Sequence, residues 1–265
     1  MSSPTPAALV TGGSSGIGLA LSRRLAKRGY RLLWVSLDEA ELAAAGEAVH
    51  AETPDAVIET LALDLSDDSA PARVLQWAQG LGGVDLLVNN AGFGVYGPSA
   101  TLPAEAEAKM IAVNAAALHA LTRAFLKPMQ EAGRGTIVNI ASNSAYTPAP
   151  NLAVYAATKA FVKHYSEALT QELEAAASPV RVMTVCPSAV ADTPFKTRAA
   201  MDGVRTFESF TATTAEEVAG DILDGLDRNR SFVLTGAAMR RALILMKILP
   251  APAVRWLTAR ETAKG

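Results

Sequence analysis

Short, nearly uniformly apolar runs alternate with longer stretches of helical periodicity along most of this sequence. The apolar runs predict about seven strands, at Ala7–Val10, Leu32–Val35, Val57–Leu63, Val84–Val88, Thr136–Ile140, Val180–Val185 and Ser231–Leu234. The stretches between them predict helices, at Ile17–Arg28, Glu39–Ala51, Asp67–Gly80, Pro103–Ala132, Leu152–Ala177 and Ala215–Asp227, with Pro128 expected to bend or end the fourth. Strands that are apolar along their whole length are typical of parallel sheets covered on both faces. The sequence therefore predicts an α/β fold, a doubly wound parallel sheet of about seven strands flanked by helices on both faces.

Length and charge limit the remaining possibilities. The chain has 265 residues with no Pro/Gly/Ser-rich linker, so one domain over residues 1–265 is predicted. A formal net charge of −2 offers no basic surface for nucleic acid. The single cysteine, Cys186, argues against an internal disulfide framework and a zinc cluster, and no metal site is predicted. The opening residues 1–6 are too short and polar for a secretory signal, and no apolar stretch is long enough for a membrane span, so a cytoplasmic location is expected.

A glycine-rich segment, TGGSSGIG at 11–18, lies between the first strand and the first helix. Glycines at these positions allow a tight turn and a close approach to a pyrophosphate, and the N-terminus of the helix offers free N–H groups. A glycine-rich run alone is equally compatible with a structural turn, but its position favours phosphate binding. The segment predicts these cofactor contacts: Gly12, Ser14, Ser15, Gly16, Ile17 and Gly18.

Polar residues follow the later strands, where ligands bind in sheets of this kind. Asp64 and Leu65 follow the third strand, and NNAG at 89–92, including Asn90, Ala91 and Gly92, follows the fourth. The asparagines also suit a purely structural role in a buried turn, and the two roles are compatible. Ser142 follows the fifth strand.

Tyr155 and Lys159 stand four residues apart in the next predicted helix, so they share one helix face. A neighbouring ammonium favours the phenolate, and we therefore expect it to lower the pKa of the tyrosine toward neutral pH. A tyrosine–lysine pair at this spacing is common by chance. Its position after Ser142, and downstream of the glycine-rich segment and NNAG, makes a chance pair a poor explanation.

Together, TGGSSGIG, NNAG and the Ser–Tyr–xxx–Lys set resemble the short-chain dehydrogenase/reductase family over about residues 7–235. The resemblance implies a Rossmann-like NAD(P)-binding domain that transfers a hydride between a nicotinamide and a carbonyl or secondary alcohol. It implies that Tyr155 is the general acid/base, that Ser142 orients the substrate oxygen, and that Lys159 binds the nicotinamide ribose. Asp64 matches the aspartate that meets the adenine, and Asn114 matches a fourth catalytic residue that holds a water linked to the lysine.

The choice of coenzyme is usually set after the second strand, where an acidic side chain favours NAD and a basic one favours NADP. This chain has Ser36 and Leu37 there, and Ser15 in the glycine-rich segment is not basic either. Because a small hydroxyl tolerates a 2′-phosphate, NADP(H) is favoured over NAD(H). Asp38 argues the other way unless it only caps the following helix.

After the sixth strand, Pro187 and Thr193 resemble the family's contacts to the nicotinamide carboxamide, although Ser188 replaces the usual glycine and Thr193 stands one position late. We name residues 188–214 the substrate segment. It carries four large apolar residues, Phe195, Met201, Phe207 and Phe210, and Phe93, Val95 and Tyr96 are further candidates for the pocket wall. Some of these side chains could simply anchor the segment. The composition indicates a medium-sized apolar carbonyl substrate.

The C-terminal extension, residues 236–265, combines basic residues with an apolar face and Trp256. Packing against the substrate segment or a neighbouring subunit is favoured over peripheral contact with a membrane. Relatives are commonly assembled through the helices that hold Asn114 and Tyr155, so a homodimer or homotetramer is expected. Two alternatives stay open: a nucleotide-sugar epimerase, for which the chain is short, and a non-catalytic NAD(P)-binding sensor or scaffold.

Overall fold

The computed structural model describes residues 5–246 and 249–265. It contains a seven-stranded parallel sheet in the order β3-β2-β1-β4-β5-β6-β7. The strands are β1 Ala7–Thr11, β2 Arg31–Ser36, β3 Ile58–Ala62, β4 Leu86–Asn89, β5 Gly135–Ile140, β6 Val180–Cys186 and β7 Phe232–Leu234. The order reverses between β1 and β4, so the chain is doubly wound and the predicted fold class is confirmed.

The helices connect successive strands and cover both faces of the sheet. They are α1 Gly16–Lys27, α2 Glu39–Glu52, α3 Ala70–Gly80, α4 Ala104–Ile111, α5 Leu118–Glu131, α6 Ala153–Ala175, α7 Phe195–Arg198, α8 Ala215–Asp227, α9 Ala237–Met246 and α10 Ala251–Glu261. One core lies between the sheet and α1, α2 and α8, and a second lies between the sheet and α3, α5 and α6. The central strands β1, β2 and β4 are therefore buried on both faces, which explains their largely apolar sequences, whereas the edge strand β3 is only partly buried.

Trp34 of β2 anchors the first of these cores. Its side chain is fully buried, and its Nε1 donates a hydrogen bond to Ser22 Oγ of α1 at 2.9 Å. The bond satisfies the indole N–H, as a buried tryptophan requires. At the surface, Arg28 of α1 pairs with Asp227 of α8 at 2.8 Å. The Trp34–Ser22 bond holds α1 against the sheet, and the Arg28–Asp227 pair joins the C-terminal end of α1 to α8.

The helix predicted after Pro103 differs from expectation in one way. Residues Ala112–Ala117 form a π-helical segment between α4 and α5, so the helical path is widened beside Asn114. Of the two alternatives for Pro128, bending or ending the helix, the second is excluded, because α5 continues to Glu131, close to the predicted end at Ala132. A proline removes one N–H donor and crowds the preceding turn, and α5 tolerates both effects near its C-terminus.

α3 begins later than predicted because the Asp67 carboxylate accepts from Ser69 N in a turn.

The C-terminal extension folds back onto the substrate segment. Val204 forms an isolated antiparallel bridge with Lys264, and Gly265 N donates to Gly203 O at 2.8 Å. Tyr96 Oη donates to Thr262 O at 2.7 Å. This packing agrees with the interpretation favoured from the sequence. None of the helices in residues 5–246 and 249–265 combines the length and hydropathy needed to span a membrane.

Candidate active site

One cleft of about 580 Å³ runs along the carboxyl ends of the strands. Among the cofactor contacts predicted from the sequence, every residue except Gly18 lines this cleft. Gly18 lies just behind the wall, where its Cα faces the carbonyl oxygen of Gly12. The topology explains the assembly, because parallel strands bring all their carboxyl ends to one edge of the sheet.

The glycine-rich turn ends at the N-terminus of α1. Gly16 has φ +53°, a left-handed conformation that a residue with a Cβ adopts poorly. Ser15 precedes α1, but its side chain accepts no capping hydrogen bond from the first turn, which also holds no acidic residue. Asn90 Nδ2 donates to Thr11 O at 2.9 Å and to Gly12 O at 3.1 Å, which fastens the turn to the end of β4. The turn therefore presents unpaired N–H groups and a positive dipole end to an anion in the cleft.

Residues after β2 line one end of the cleft. Ser36 Oγ accepts from Ser14 Oγ at 3.0 Å, and Leu37 is largely exposed. Asp38 caps α2, because its carboxylate accepts from Glu41 N at 3.0 Å. The capping alternative for Asp38 is thus the one its contacts support. Glu41 was missed from the sequence, and its carboxylate accepts from Ser14 Oγ at 3.1 Å.

Asp64 lies at the same end of the cleft, after β3. Its carboxylate accepts from Ser66 N and Ser66 Oγ at 2.9 and 2.7 Å and pairs with Lys109 Nζ at 2.8 Å. The hydrogen bond from Lys109 and those from Ser66 lower the pKa of Asp64 to about 2. Asp64 is therefore ionised and held in one orientation, while the neighbouring Leu65 is buried against the cleft wall.

Ser142, Tyr155 and Lys159 meet at the other end of the cleft, beyond β5. Lys159 is buried and its Nζ donates to Ile140 O at 2.9 Å, 5.8 Å from the centre of the Tyr155 ring. Ser142 is buried too, and its Oγ caps the turn Asn143–Tyr146 by accepting from Ser144 N at 3.2 Å. Three of the four side chains predicted to be catalytic therefore share one wall.

The expectation that Lys159 lowers the pKa of Tyr155 is wrong. Burial raises the pKa of Tyr155 to about 12, and the hydrogen bond with Ser142 opposes this shift only in part. Burial also lowers the pKa of Lys159 to about 8, so its ammonium is destabilised where the sequence argument assumed a full positive charge. Burial is therefore the largest cause of both pKa shifts.

The lysine shift has a measurable consequence for stability. Between pH 8 and pH 10.5 the unfolded chain holds the Lys159 proton more tightly than the folded chain, so folding stability rises with pH. We expect the free energy of unfolding of the wild type, minus that of Lys159→Met, to increase by about 3 kcal/mol across this range. Urea unfolding at several pH values measures it, with the exposed Lys127→Met as control. A difference that stays flat with pH would contradict a buried, destabilised ammonium.

Asn114 is completely buried in the π-helical segment, behind the wall of the cleft. Its Oδ1 accepts from Phe93 N at 3.0 Å and its Nδ2 donates to Phe93 O at 2.8 Å. A Cβ on Gly92 would lie 3.0 Å from Asn114 Oδ1 and 3.4 Å from Lys159 Nζ. The widened helix thus brings the amide next to the lysine and holds the backbone that follows NNAG. π-helical segments within α-helices are frequent at functional sites.

The substrate segment, which begins at Ser188, covers the cleft. A Cβ on Gly16 would lie 3.2 Å from Thr193 Cγ2, so Thr193 packs directly over the glycine-rich turn. The Phe195 ring lies 5.4 Å from the Tyr155 ring, centre to centre. Met201 and Phe207 are buried against the cleft, whereas Phe210 is exposed at its mouth.

Part of the cleft wall was not predicted from the sequence. Phe93 lines the cleft as expected, but Val95 and Tyr96 do not, because Tyr96 instead holds the C-terminal extension through Thr262. The extension contributes apolar side chains to the wall: Met239, Leu243, Leu249 and Leu257. Apolar periodicity in a C-terminal stretch gives no sign of which surface it covers. Arg198 was also missed, and its guanidinium forms an ion pair with Glu41 across the cleft.

Comparison with known proteins agrees with this geometry. The short chain dehydrogenase model matches residues 6–202. The chain is 34% identical over 236 residues to a 1-deoxy-11-beta-hydroxypentalenate dehydrogenase of Streptomyces avermitilis, covering 87% of this chain and 84% of that one. It is 34% identical to a very-long-chain 3-oxoacyl-CoA reductase of Bos taurus over 69% of this chain and 59% of the relative.

Solved structures give the same result. A short-chain dehydrogenase from Sphingobium yanoikuyae in complex with NADPH superposes with a TM-score of 0.79 at 30% identity, covering 93% of this chain and 97% of that chain. A bulky-bulky ketone specific alcohol dehydrogenase from Comamonas testosteroni superposes with a TM-score of 0.75 at 27% identity, covering 94% and 96%. The chain therefore belongs to the short chain dehydrogenase family, and it is an oxidoreductase acting on hydroxyl or carbonyl groups.

Proposed function

We propose that this protein uses NADP(H) to interconvert a medium-sized apolar carbonyl compound and its secondary alcohol. The observation that carries the proposal is the convergence of Ser142, Tyr155 and Lys159 in the cleft that also contains the open N-terminus of α1. These residues fit a nicotinamide dinucleotide, with its pyrophosphate at α1 and its nicotinamide ribose at Lys159. When bound, the coenzyme supplies or accepts the hydride.

The protein's own groups handle the proton. In carbonyl reduction, the Tyr155 hydroxyl donates its proton to the substrate oxygen, and in alcohol oxidation the phenolate removes it. Ser142 donates to the same oxygen and stabilises the negative charge that develops there. Lys159 orients the ribose, and Asn114 positions the lysine through the backbone of Phe93 and Gly92. The raised pKa of Tyr155 keeps the hydroxyl protonated at neutral pH, which suits the donor role in reduction.

Two observations support the preference for NADP(H). Positions 36 and 37 hold a serine and a leucine instead of an acidic residue, and the carboxylate of Asp38 is engaged in capping α2. The Sphingobium relative was solved with NADPH. Fluorescence titration of the purified protein with NADPH and with NADH tests this preference. Tighter binding of NADPH is the expected outcome. Binding of both without turnover of any carbonyl substrate would favour the alternative of a non-catalytic sensor or scaffold.

An apolar substrate is supported by the wall of the cleft beyond Tyr155. Side chains from the substrate segment and the C-terminal extension, including Met201, Phe207, Leu243 and Leu257, form that wall. The relatives named above act on a 1-deoxy-11-beta-hydroxypentalenate, a very-long-chain 3-oxoacyl-CoA and bulky ketones, as their names state. A panel of ketones of increasing size tests the proposal through NADPH consumption. We expect kcat/KM to rise with apolar surface, by about tenfold for each 1.4 kcal/mol of binding.

We further propose that the protein is a homo-oligomer assembled through α4, α5 and α6. Ile111 and Phe161 are 48% and 45% exposed on this surface, and Phe161 stacks on Tyr165, with ring centres 5.8 Å apart. Exposed aromatic clusters of this kind are typical of subunit interfaces.

The assembly makes a simple prediction. We expect Phe161→Asp to reduce the mass measured by light scattering to that of a smaller species, because a charge would be buried unpaired at the interface. Val57→Asp is the matched control, since Val57 is 50% exposed beside the edge strand β3. A wild type that is monomeric, or a Phe161→Asp variant that keeps the wild-type mass, would contradict the proposed surface.

A further inference from the structure

Arg198 connects the substrate segment to the end of β2 through a chain of polar contacts. Its guanidinium pairs with Glu41 Oε1, and the other oxygen of Glu41 accepts from Ser14 Oγ at 3.1 Å. Ser14 Oγ also lies 3.0 Å from Ser36 Oγ, at the position that selects the coenzyme in sheets of this kind. Glu41 and Arg198, which are 157 positions apart in sequence, therefore meet where the adenosine ribose of the coenzyme would lie.

The charge of Glu41 makes this contact important. A carboxylate this close to Ser36 would repel a 2′-phosphate, so NADP(H) could be preferred only if a cation offsets it. Three cationic side chains line the cleft within the described residues: Lys109, Lys159 and Arg198. Lys109 is paired with Asp64, and Lys159 lies at the opposite end beside Tyr155. Arg198 is the cation placed beside Glu41.

Arg198 also has the geometry for a phosphate. The guanidinium is planar and can donate two parallel hydrogen bonds to phosphate oxygens, a match that lysine lacks. Its side chain is 56% exposed, while that of Glu41 is 29% exposed, so the guanidinium can keep its contact with Glu41 and offer its remaining N–H groups to a ligand in the cleft. α7 ends at Arg198, directly after Phe195 has packed against Tyr155.

We propose that Arg198 is the 2′-phosphate-binding residue of this enzyme and that Glu41 holds it in place. The coenzyme is then selected by the substrate segment and not by a basic residue after β2 or in the glycine-rich turn. This inference rests on the proposed preference for NADP(H). It goes further by naming the residue that produces the preference.

Binding measurements test the assignment without turnover. The wild type, Arg198→Ala and Lys196→Ala are titrated calorimetrically with NADPH, NADH, 2′,5′-ADP and 5′-ADP. Lys196 is the matched control, because it lies on the same helix and carries the same charge but stands over the Phe207 ring, 6.0 Å from its centre. We expect Arg198→Ala to weaken NADPH and 2′,5′-ADP by about 10- to 100-fold, as for the loss of a charged hydrogen-bonded pair, and to leave NADH and 5′-ADP nearly unchanged. Lys196→Ala should leave all four unchanged.

A second pair of variants separates direct contact from simple neutralisation of Glu41. If Arg198 touches the phosphate, Glu41→Gln/Arg198→Ala should still bind NADPH about 10-fold or more weakly than Glu41→Gln alone. Equal affinities in these two variants would overturn direct contact. Equal losses for NADPH and NADH in Arg198→Ala, or a wild type that prefers NADH, would overturn the inference while leaving the oxidoreductase intact. A wild type that binds neither coenzyme would instead refute the proposed function.

Discussion

Tyr155→Phe is expected to lower kcat by about 100- to 10,000-fold, the usual contribution of a positioned general acid/base. The change removes one oxygen atom and leaves the ring that packs against Phe195, 5.4 Å away. Affinity for the coenzyme should therefore remain close to that of the wild type. Steady-state kinetics with an apolar ketone measure the loss, and a fluorescence titration with NADPH measures the retained binding.

Tyr146→Phe is the control for this experiment. Tyr146 lies in the turn just after Ser142 and is also partly buried, with the ammonium of Lys163 5.1 Å from its ring centre. Burial raises its pKa well above the ordinary value, as it does for Tyr155, but its side chain does not line the cleft. We expect Tyr146→Phe to keep most of its turnover. A Tyr155→Phe variant that is as active as Tyr146→Phe would remove Tyr155 from the proton-transfer role.

The architecture was predictable because its signals are local. The apolar run at Leu32–Val35 is buried on both faces of a parallel sheet, so its sequence carries no alternation that could suggest an exposed face. The glycine-rich turn is equally local, since the turn, the strand before it and the helix after it lie within residues 7–27. Each such signal involves neighbours in sequence, and no long-range contact changes its meaning.

The parts of the site that were missed depend on contacts between distant residues. Glu41 looks like an ordinary acidic residue in the first turn of α2, and Arg198 like a surface arginine. Only the folding of the substrate segment across the cleft brings them together. The pKa of Tyr155 was wrongly predicted for a related reason: the spacing to Lys159 is visible in the sequence, whereas the burial that dominates both groups is set by the packing around them.

The π-helical segment at Ala112–Ala117 is a third such case. The sequence around Asn114 has ordinary helical periodicity, and alanines on either side favour a regular helix. The Asn114 amide nevertheless satisfies both backbone groups of Phe93, a residue 21 positions earlier. A buried amide requires such partners, and the widened turn places it where they are found. The resemblance to a family identified Asn114, but the periodicity alone did not.

A loss of stability is expected from substitution of Gly18. An added Cβ there would lie 2.2 Å from the carbonyl oxygen of Gly12 and 2.7 Å from Asn90 Nδ2. The nearest of these atoms belongs to the backbone of the glycine-rich turn, so the collision can be relieved only by moving that turn away from α1. We therefore expect Gly18→Ala to reduce the free energy of unfolding by about 1–3 kcal/mol, the range for overpacking a close-packed site.

Gly46 provides the opposite case within the same protein. It lies inside α2, and a Cβ built on it meets no atom within 4 Å. Because alanine loses less conformational freedom than glycine in a helix, Gly46→Ala is expected to raise the free energy of unfolding by about 0.5–1 kcal/mol. Urea unfolding of the two variants beside the wild type measures both changes, and titration with 5′-ADP shows whether Gly18→Ala also weakens binding at the displaced turn. If both substitutions stabilised the protein equally, the close contact between Gly18 and Gly12 would be refuted, and with it the geometry that we assign to the pyrophosphate site.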